Sequence, residues 1–524
     1  MDKDKAVQEI KEIGTQAGSI PSELFKFFSD VSSRSLLVKG VAGTGKTTFA
    51  LQLIESLKDI EHSIYITTRV SDEALYSQFK WLKEKEWHDR LIDSSRGFLR
   101  ALVAEHVNSE KVDSRIEGAK AFLKTVHGTQ EPRTSVDRRF LRTLFKDISI
   151  EEIENIYDRV QAKLPARSLV IIDSIDALAE RYDVPHGKLL TTLQKDLVEN
   201  SNTSMVIVSE RSTDTTLDFY VDGVVTLHQG FVEGRRFREM SIEKLRGLSI
   251  KQARYPYTLL GGKFRYFQPF ASKVELMHKT HQPICDSPGS NFKEGLFSTG
   301  NHDLDALVGG GYPKGAFILI ELGDNVPQLG VMYMVGPTVE NFLTQHRGVV
   351  GVAPGGLSSE IVRTIYAKVA GEENVREYAR IIERKRVESK KKIPSVVKID
   401  SSNIDSFLES WIAVEDELHQ KTNAPVLITT SWDTLEYGLD VSSAERIATS
   451  LIPRHKTLGY LHVGVIRPGI KIAQMLRNMA DVLIKVVSLD GALMCFGEKP
   501  RTEIYNIDLD EAFEHAHLKL TPIN

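Results

Sequence analysis

Cysteine is scarce in this chain, with two residues, Cys285 and Cys495, among 524. Two cysteines are too few for a disulfide framework, which excludes the small disulfide-stapled secreted folds and favours a reducing compartment. The chain has no apolar run of the length of about eighteen residues that spans a bilayer, and the charged start Met1–Lys5 is unlike an export signal. We therefore expect a cytoplasmic protein that does not enter the membrane.

An excess of charge of one sign is also absent. Lysine and arginine number 67 against 71 for aspartate and glutamate, a formal net charge of −4. No field of the whole molecule attracts polyanions, so any contact with nucleic acid has to be local. With 524 residues, 41% of them hydrophobic, the chain can build two or more buried cores.

Short apolar runs alternate with segments of helical period in the first half of the chain. The runs are Leu36–Val38, Ser63–Ile66, Leu169–Ile172 and Met205–Val208. Fully apolar strands separated by helices indicate a parallel sheet covered on both faces, an α/β architecture that binds ligands beyond the carboxyl ends of its strands. Residues 224–267 instead predict successive strands joined by glycine-containing turns.

The second half repeats this pattern after a segment of different composition. Residues 271–296 contain proline, glycine and serine with few apolar residues, which is typical of a linker. Further strands are predicted at 316–321, 348–353, 426–430 and 462–466, followed by a hairpin around Asp490-Gly491. We predict two α/β domains, 1–270 and 297–524, joined by the linker 271–296, with the second a diverged copy of the first.

Residues 40–47 read Gly-Val-Ala-Gly-Thr-Gly-Lys-Thr and fit the pattern G-x-x-x-x-G-K-[ST] between a strand and a helix. In that setting backbone N–H groups surround phosphate oxygens, and the helix dipole adds to the attraction. The motif predicts ATP as the ligand, with Lys46 at the β- and γ-phosphates and the Thr47 hydroxyl on Mg²⁺. The alternative is a glycine-rich turn without a ligand. The predicted nucleotide-binding residues are Gly40, Val41, Ala42, Gly43, Thr44, Gly45, Lys46, Thr47 and Thr48.

Three residues outside the loop are candidates for chemistry. Asp173 ends an apolar strand and can hold Mg²⁺ through water, although an aspartate in that position also serves as a turn residue. Lys244 and Arg246 belong to a segment whose even-numbered residues, 236–246, would face one way as a strand, about 7 Å from one to the next. They could bracket a γ-phosphate, or they could form a solvated basic edge that discourages aggregation.

The order of these motifs resembles the KaiC-like branch of the RecA-superfamily ATPases. The matching segments are Gly40–Thr47, Ile172–Ser174, Ser209–Arg211, Asp222–Val225, Glu243–Gly247 and Arg254–Thr258, with Ser298–Gly300, Leu304-Asp305 and Gly309–Gly315 at the start of the second domain. The resemblance implies ATP held at the subunit interfaces of a ring, commonly a hexamer. It implies a homo-oligomer in which Lys244 and Arg246 reach the nucleotide of the neighbouring protomer.

Two departures from the family pattern bear on activity. Arg69 and Val70 stand where the family has glutamates that orient the attacking water, so hydrolysis of ATP to ADP and phosphate is expected to be slow or to use Asp72 or Glu73. In the second domain Leu322–Gln328 lacks Gly-Lys-Thr, and Thr430 stands in the place of the metal-side aspartate. We expect that domain to be catalytically inactive and to serve a structural or regulatory purpose, including recruitment of a protein partner.

A chain with one intact and one degenerate domain most resembles the archaeal KaiC-like group similar to gas vesicle protein D, whose members are regulators with arginine-rich patches. Candidate patches are Arg235–Arg238 and 384–392, the latter also readable as a solvated charged run. We expect an ATP-dependent switch or assembly factor. The alternatives are a recombinase or recombinase mediator that binds DNA, which the net charge disfavours, and a scaffold that holds ATP without hydrolysis. The insert at 89–165 has no assigned purpose.

Overall fold

The computed structural model defines the fold over most of the chain. The described residues are 19–29, 32–57, 60, 62–68, 70–83, 91–93, 150–271, 283–286, 295–328, 330–385, 393–510 and 517–524. The predicted Arg69 position, most of the insert 89–165 and the basic run 386–392 lie outside them. The chain forms two compact units, Met1–Phe267 with Asn524, and Gln268–Ile523.

Over the residues that the structure describes, the first unit is built on nine strands. These are β1 (Ser35–Gly40), β2 (His62–Thr67), β3 (Leu91–Asp93), β4 (Ser168–Asp173), β5 (Thr203–Ser209), β6 (Gly223–Val232), β7 (Arg235–Leu245), β8 (Arg254–Thr258) and β9 (Arg265–Tyr266). They form one sheet in the order β3-β2-β4-β5-β1-β6-β7-β8-β9. Pairing is parallel from β3 to β6 and antiparallel from β6 to β9.

Helices cover this sheet. They are α1 (Ser22–Ser29), α2 (Lys46–Ser56), α3 (Asp72–Gln78), α4 (Glu151–Gln161), α5 (Ile175–Arg181) and α6 (His186–Leu193), the last continuing as a π-helical turn at Gln194–Glu199. Alternate residues of β1 enter different cores, since Leu36 and Val38 pack with α2 while Leu37 packs with α5 and α6. Burial on both faces is why the central residues of the parallel strands are apolar. The predicted α/β class is confirmed.

One strand departs from the predicted alternation. The β6–β7 register shifts so that Ile242 opposes Val225 and Lys244 opposes Val224, which leaves Glu243 as the extra residue of a β-bulge. Met240, Ile242 and Leu245 therefore share one core. The prediction that the even-numbered residues of 236–246 face one way is wrong beyond Ile242, because the bulge moves Lys244 to the opposite face.

The described part of the second unit has twelve strands. They are β10 (Leu296–Phe297), β11 (Tyr312–Pro313), β12 (Phe317–Leu322), β13 (Val349–Val352), β14 (Ala379–Arg384), β15 (Val396–Ile399), β16 (Leu427–Ser431), β17 (Leu461–Ile466), β18 (Val482–Leu489), β19 (Ala492–Lys499), β20 (Tyr505–Asp510) and β21 (His517–Pro522). β10 and β11 pair as a small separate sheet. The large sheet has the order β15-β14-β13-β16-β17-β12-β18-β19-β20-β21.

Helices flank this sheet as well. They are α7 (His302–Leu307), α8 (Gly330–Thr344), α9 (Ser359–Ala370), α10 (Glu372–Tyr378), α11 (Ile404–Thr422), α12 (Trp432–Gly438), α13 (Val441–Leu458) and α14 (Ala473–Met479). The central order β14-β13-β16-β17-β12-β18-β19 repeats β3-β2-β4-β5-β1-β6-β7 of the first unit. Part of the predicted linker is fastened to this unit, since the Ile284 N–H donates to Asn341 Oδ1 at 2.9 Å. Over the described ranges, the helices are all too short or too polar to cross a membrane.

Candidate functional site

The loop between β1 and α2 requires glycine at two positions. A Cβ on Gly40 would lie 2.6 Å from Thr44 Oγ1 and 2.7 Å from the Leu227 carbonyl oxygen. Gly45 has φ +89° and precedes the first residue of α2, and a Cβ there would lie 2.7 Å from Leu259. The backbone therefore makes a tight turn into the helix that a side chain would obstruct.

Two side chains from the antiparallel part of the sheet support this loop. The Tyr257 hydroxyl donates to the Thr44 carbonyl at 2.5 Å, and Arg238 Nη1 donates to the Gly43 carbonyl at 2.8 Å. Burial raises the pKa of Tyr257 to about 12, which keeps the phenol a donor. Arg235 and Arg238 are only 4% and 5% exposed. The predicted arginine patch at 235–238 is thus wrong for these two residues, because Arg238 is turned inward to the loop.

The side chains of Lys46 and Thr44 are hydrogen-bonded to backbone carbonyls of the loop. Lys46 Nζ donates to the carbonyls of Gly40 at 2.7 Å and Val41 at 3.0 Å. Thr44 Oγ1 donates to the Val41 carbonyl at 2.8 Å. Val41, Ala42 and Gly43 are exposed at the tip, and Thr48 is buried in the first turn of α2.

Asp173 lies beside the start of α2. Its Oδ2 accepts from Thr47 Oγ1 at 2.6 Å and from the Tyr65 hydroxyl at 2.6 Å. Burial raises the pKa of Asp173, while these two hydrogen bonds and the charge of Lys46 act to lower it. Burial and the Asp173 charge also hold the pKa of Tyr65 well above its usual value. The structure brings Lys46, Thr47 and Asp173 together, and it adds Tyr65, which the sequence did not indicate.

Arg246 lies at the other end of β1. Its Nη1 contacts Asp222 Oδ1 at 3.1 Å, and Asp222 Oδ2 accepts from the Ser35 hydroxyl at 3.0 Å. Ser35 begins β1 and the loop follows Gly40, so the two ends are about 17 Å apart at roughly 3.3 Å per residue. The structure therefore does not bring Arg246 to the loop of its own chain.

Lys244 is held by backbone oxygens. Its Nζ donates to the carbonyls of Asp218 at 2.8 Å and Val221 at 2.7 Å. Desolvation, together with the nearby charge of Arg246, lowers the pKa of Lys244. The ammonium is thus fixed beside Arg246 rather than extended as a solvated edge.

The end of β2 is fastened to the end of β4. Thr68 Oγ1 donates to the Asp173 carbonyl at 3.0 Å and accepts from the Ser174 N–H at 2.8 Å. Of the carboxylates considered as substitutes for the family glutamates, Glu73 is exposed in the first turn of α3, and the side chain of Asp72 is outside the described part. Glu210, which follows β5, lies close enough for its charge to raise the pKa of Asp173. Its position at the carboxyl end of a strand was the signal that could have identified it.

The oxygen donors at this site fit magnesium. Within the described residues no group of three or more histidine, cysteine, aspartate or glutamate side chains could hold a metal. Mg²⁺ in a nucleotide site does not need such a group, because phosphates, waters and one or two protein oxygens complete its octahedron. The Thr47 hydroxyl and the Asp173 carboxylate are hard oxygen ligands of this kind.

Comparison with known proteins follows the same division of the chain. A family model described as GvpD gas vesicle protein, P-loop domain, matches residues 24–243, and a model described as GvpD basic region 2 matches residues 280–523. Protein GvpD2 of Halobacterium salinarum is 25% identical over 525 residues, which cover 96% of each chain. The chain resembles GvpD and the KaiC-like branch of the RecA superfamily.

Other relatives of this KaiC-like chain match over part of their length. Protein GvpD1 of Halobacterium salinarum is 27% identical over 343 residues, 64% of this chain and 56% of that protein. The circadian clock oscillator protein KaiC of Acaryochloris marina is 24% identical over 312 residues, 56% of this chain and 50% of that protein. The chain thus spans about half the length of these relatives. The matches establish membership of a P-loop ATPase family.

The second unit of this KaiC-like chain has different chemistry at the corresponding strand ends. After β12, Gln328 Oε1 accepts from Arg467 Nη2 at 2.8 Å, and its amide donates to the Gly355 carbonyl. Thr430, near the end of β16, is buried and contacts His462 Nε2 at 3.0 Å. The side chains that correspond to a phosphate loop and a metal-side carboxylate are therefore engaged in contacts within the unit.

Proposed function

We propose that the first unit binds Mg-ATP and hydrolyses it slowly, and that the nucleotide state makes the protein a regulatory switch or assembly factor. The observation that carries this proposal is the pairing of Thr47 with Asp173 at 2.6 Å beside a glycine loop that opens a helix. This pairing provides oxygen ligands next to a phosphate site. Mg²⁺, when bound, would neutralise charge on the β- and γ-phosphates and orient them.

The residues of the loop have separate tasks in this proposal. Backbone N–H groups of 40–48 bind the phosphates, with the dipole of α2 behind them. Lys46 exchanges the carbonyls of Gly40 and Val41 for phosphate oxygens. Arg238 and Tyr257 hold the Gly43 and Thr44 carbonyls and thereby fix the direction of the loop amides.

Arg246 and Lys244 act across a subunit interface in this proposal. The separation of about 17 Å between the two ends of β1 keeps Arg246 from its own loop, and its side chain is 61% exposed. A guanidinium supplied by a neighbouring copy would stabilise charge on the transferred phosphoryl group. This arrangement calls for a homo-oligomer, and the resemblance to the KaiC-like ATPases implies a ring.

The second unit has a regulatory role in this proposal. We propose the domain division 1–270, linker 271–296 and 297–524, which the two compact units support. The engagement of Gln328 and Thr430 within the unit favours a binding surface for a protein partner over a second ATPase site. The inward position of Arg235 and Arg238 weakens the alternative of a DNA-binding patch.

The test is phosphate release and nucleotide affinity of the wild-type protein and Lys46→Ala at several protein concentrations. Lys26→Ala is the matched control, because Lys26 is an exposed lysine on α1. We expect Lys46→Ala to lose release and to bind ATP at least about tenfold more weakly, with release rising more than linearly with protein concentration. Binding without release would establish the non-hydrolysing scaffold, and salt-dependent retention on single-stranded DNA would establish the recombinase alternative.

A further inference from the structure

Tyr65 is a fully buried phenol that contacts the candidate metal-side carboxylate. It lies on β2, where it pairs with Ile171 of β4, so Asp173 is its diagonal neighbour on the same face of the sheet. Its ring packs in the core with Leu169 and Ile171. A phenylalanine would fill the same core volume, so the packing does not account for the hydroxyl.

The hydroxyl and Thr47 share one acceptor. Tyr65 Oη and Thr47 Oγ1 each donate to Asp173 Oδ2 at 2.6 Å. A buried carboxylate needs such donors, because a charge removed from water without compensation costs several kcal/mol. Hydrogen bonds to an ionised acceptor are also the short and strong ones. The two donors therefore fix both the charge and the rotation of the Asp173 carboxylate.

Nucleotide binding would affect the hydrogen bonds of Thr47 and Tyr65 differently. Thr47 belongs to the loop, and its hydroxyl oxygen has to face Mg²⁺ when the phosphates are bound. Tyr65 belongs to β2, between β3 and β4, and its fully buried side chain is not in the path of the ligand. Its hydrogen bond to Asp173 Oδ2 can therefore remain when a nucleotide is bound, which leaves the second carboxylate oxygen available to the metal side.

We propose that Tyr65 is a positioning residue that holds Asp173 for magnesium, an inference that rests on the proposed Mg-ATP site. Ligands of a metal lose roughly ten- to a hundredfold in metal affinity when the groups that orient them are removed. Tyr65→Phe should then weaken the coupling between Mg²⁺ and nucleotide without weakening metal-free nucleotide binding.

The experiment measures the affinity of the full chain for a fluorescent ATP analogue in EDTA and across a Mg²⁺ titration. Tyr65→Phe should bind the analogue in EDTA as the wild type does, and its Mg²⁺ midpoint should rise about tenfold. Tyr157→Phe is the control, since Tyr157 is an equally buried tyrosine of the same unit whose hydroxyl donates to Asp196 at 2.8 Å. Tyr157→Phe should keep the wild-type midpoint.

Two further measurements separate positioning from general destabilisation. In an Asp173→Asn background, Tyr65→Phe should produce no additional change in the Mg²⁺ midpoint, because the carboxylate that it positions is gone. Phosphate release by Tyr65→Phe should fall at limiting Mg²⁺ and recover at saturating Mg²⁺. An unchanged midpoint, or an equal loss of affinity in EDTA and in Mg²⁺, overturns the inference while the Mg-ATP site stands. A wild type whose nucleotide affinity ignores Mg²⁺ overturns both.

Discussion

Tyr257 illustrates how a single hydroxyl outside the motif can set the conformation of the phosphate loop. It donates to the Thr44 carbonyl at 2.5 Å, while Tyr255 on the same strand donates to Glu23 of α1 at 3.1 Å. A hydrogen bond of this kind is worth about 1 kcal/mol, which is about fivefold in affinity. We expect Tyr257→Phe to bind ATP about fivefold more weakly, whereas Tyr255→Phe should change stability alone. Equal ATP affinities of the two variants by calorimetry would contradict this assignment.

Among single residues, the sequence predicts the glycine loop but not the hydrogen-bond partners of Tyr65 and Arg238. Glycines and lysine at fixed spacing predicted the loop, because its chemistry depends on backbone conformation and on one ammonium. Tyr65 was read as part of an apolar strand, since an aromatic among Ile64 and Ile66 is typical of a core. The sequence predicts Arg238 as surface charge, because it belongs to the arginine-rich run Arg235–Arg238. In both cases the polar tip finds its partner across the sheet, and no local pattern records that partner.

At the level of elements, the strands were predictable and their irregularities were not. β1, β4 and β5 have apolar central residues because helices cover both faces, so composition alone located them. The bulge in β7 consists of one exposed residue, Glu243. In the sequence Glu243 continues the alternation of polar and apolar residues, whereas in the structure it shifts the pairing of β7 with β6. The face of Lys244 was therefore predicted incorrectly, although the strand was predicted correctly.

A buried polar chain joins α11, α13, β16 and β17 in the second unit. Its contacts are Arg454 with Glu415 at 2.9 Å and Asp416 at 2.6 Å, His455 with Glu415 at 2.9 Å, His455 with His462 at 3.0 Å, and His462 with Thr430 at 3.0 Å. Burial, followed by the charge of His455, holds the pKa of His462 well below its usual value. His462 is thus neutral in the folded unit where an unfolded chain would take up a proton.

This difference predicts acid sensitivity of the second unit. As pH falls through about 6.5, the unfolded state binds a proton that folded His462 does not, so the free energy of unfolding falls by up to about 1.4 kcal/mol per pH unit. Above a pH of about 6.5, His462 is neutral in both the folded and the unfolded state, so it no longer makes the free energy of unfolding depend on pH. We expect His462→Gln to flatten the decline, measured by urea unfolding with tryptophan fluorescence, to which Trp432 contributes with its ring 5.8 Å from that of His462. A variant as acid-sensitive as the wild type would refute the assignment.

For the whole molecule, the question is whether one protomer completes the site of another. Lys46→Ala retains Arg246, and Arg246→Ala retains the loop, so each variant lacks a different half of an interface site. Arg246→Ala should fold, because an ion pair as exposed as that of Arg246 contributes little to stability. In a ring assembled at random from equal amounts, half of the loops are intact and half of their neighbours carry Arg246. The mixture should recover about a quarter of the wild-type rate of phosphate release.

A second mixture supplies the control. Lys46→Ala and Asp173→Asn both damage the loop side of the site, so their mixture should remain inactive however the copies are arranged. Recovery confined to the Arg246→Ala mixture would mean that ATP hydrolysis depends on assembly, with Arg246 of one copy completing the nucleotide site of another. If the Arg246→Ala mixture forms mixed rings and stays inactive, Arg246 contributes through Asp222 within its own chain, and the nucleotide site is completed by other residues.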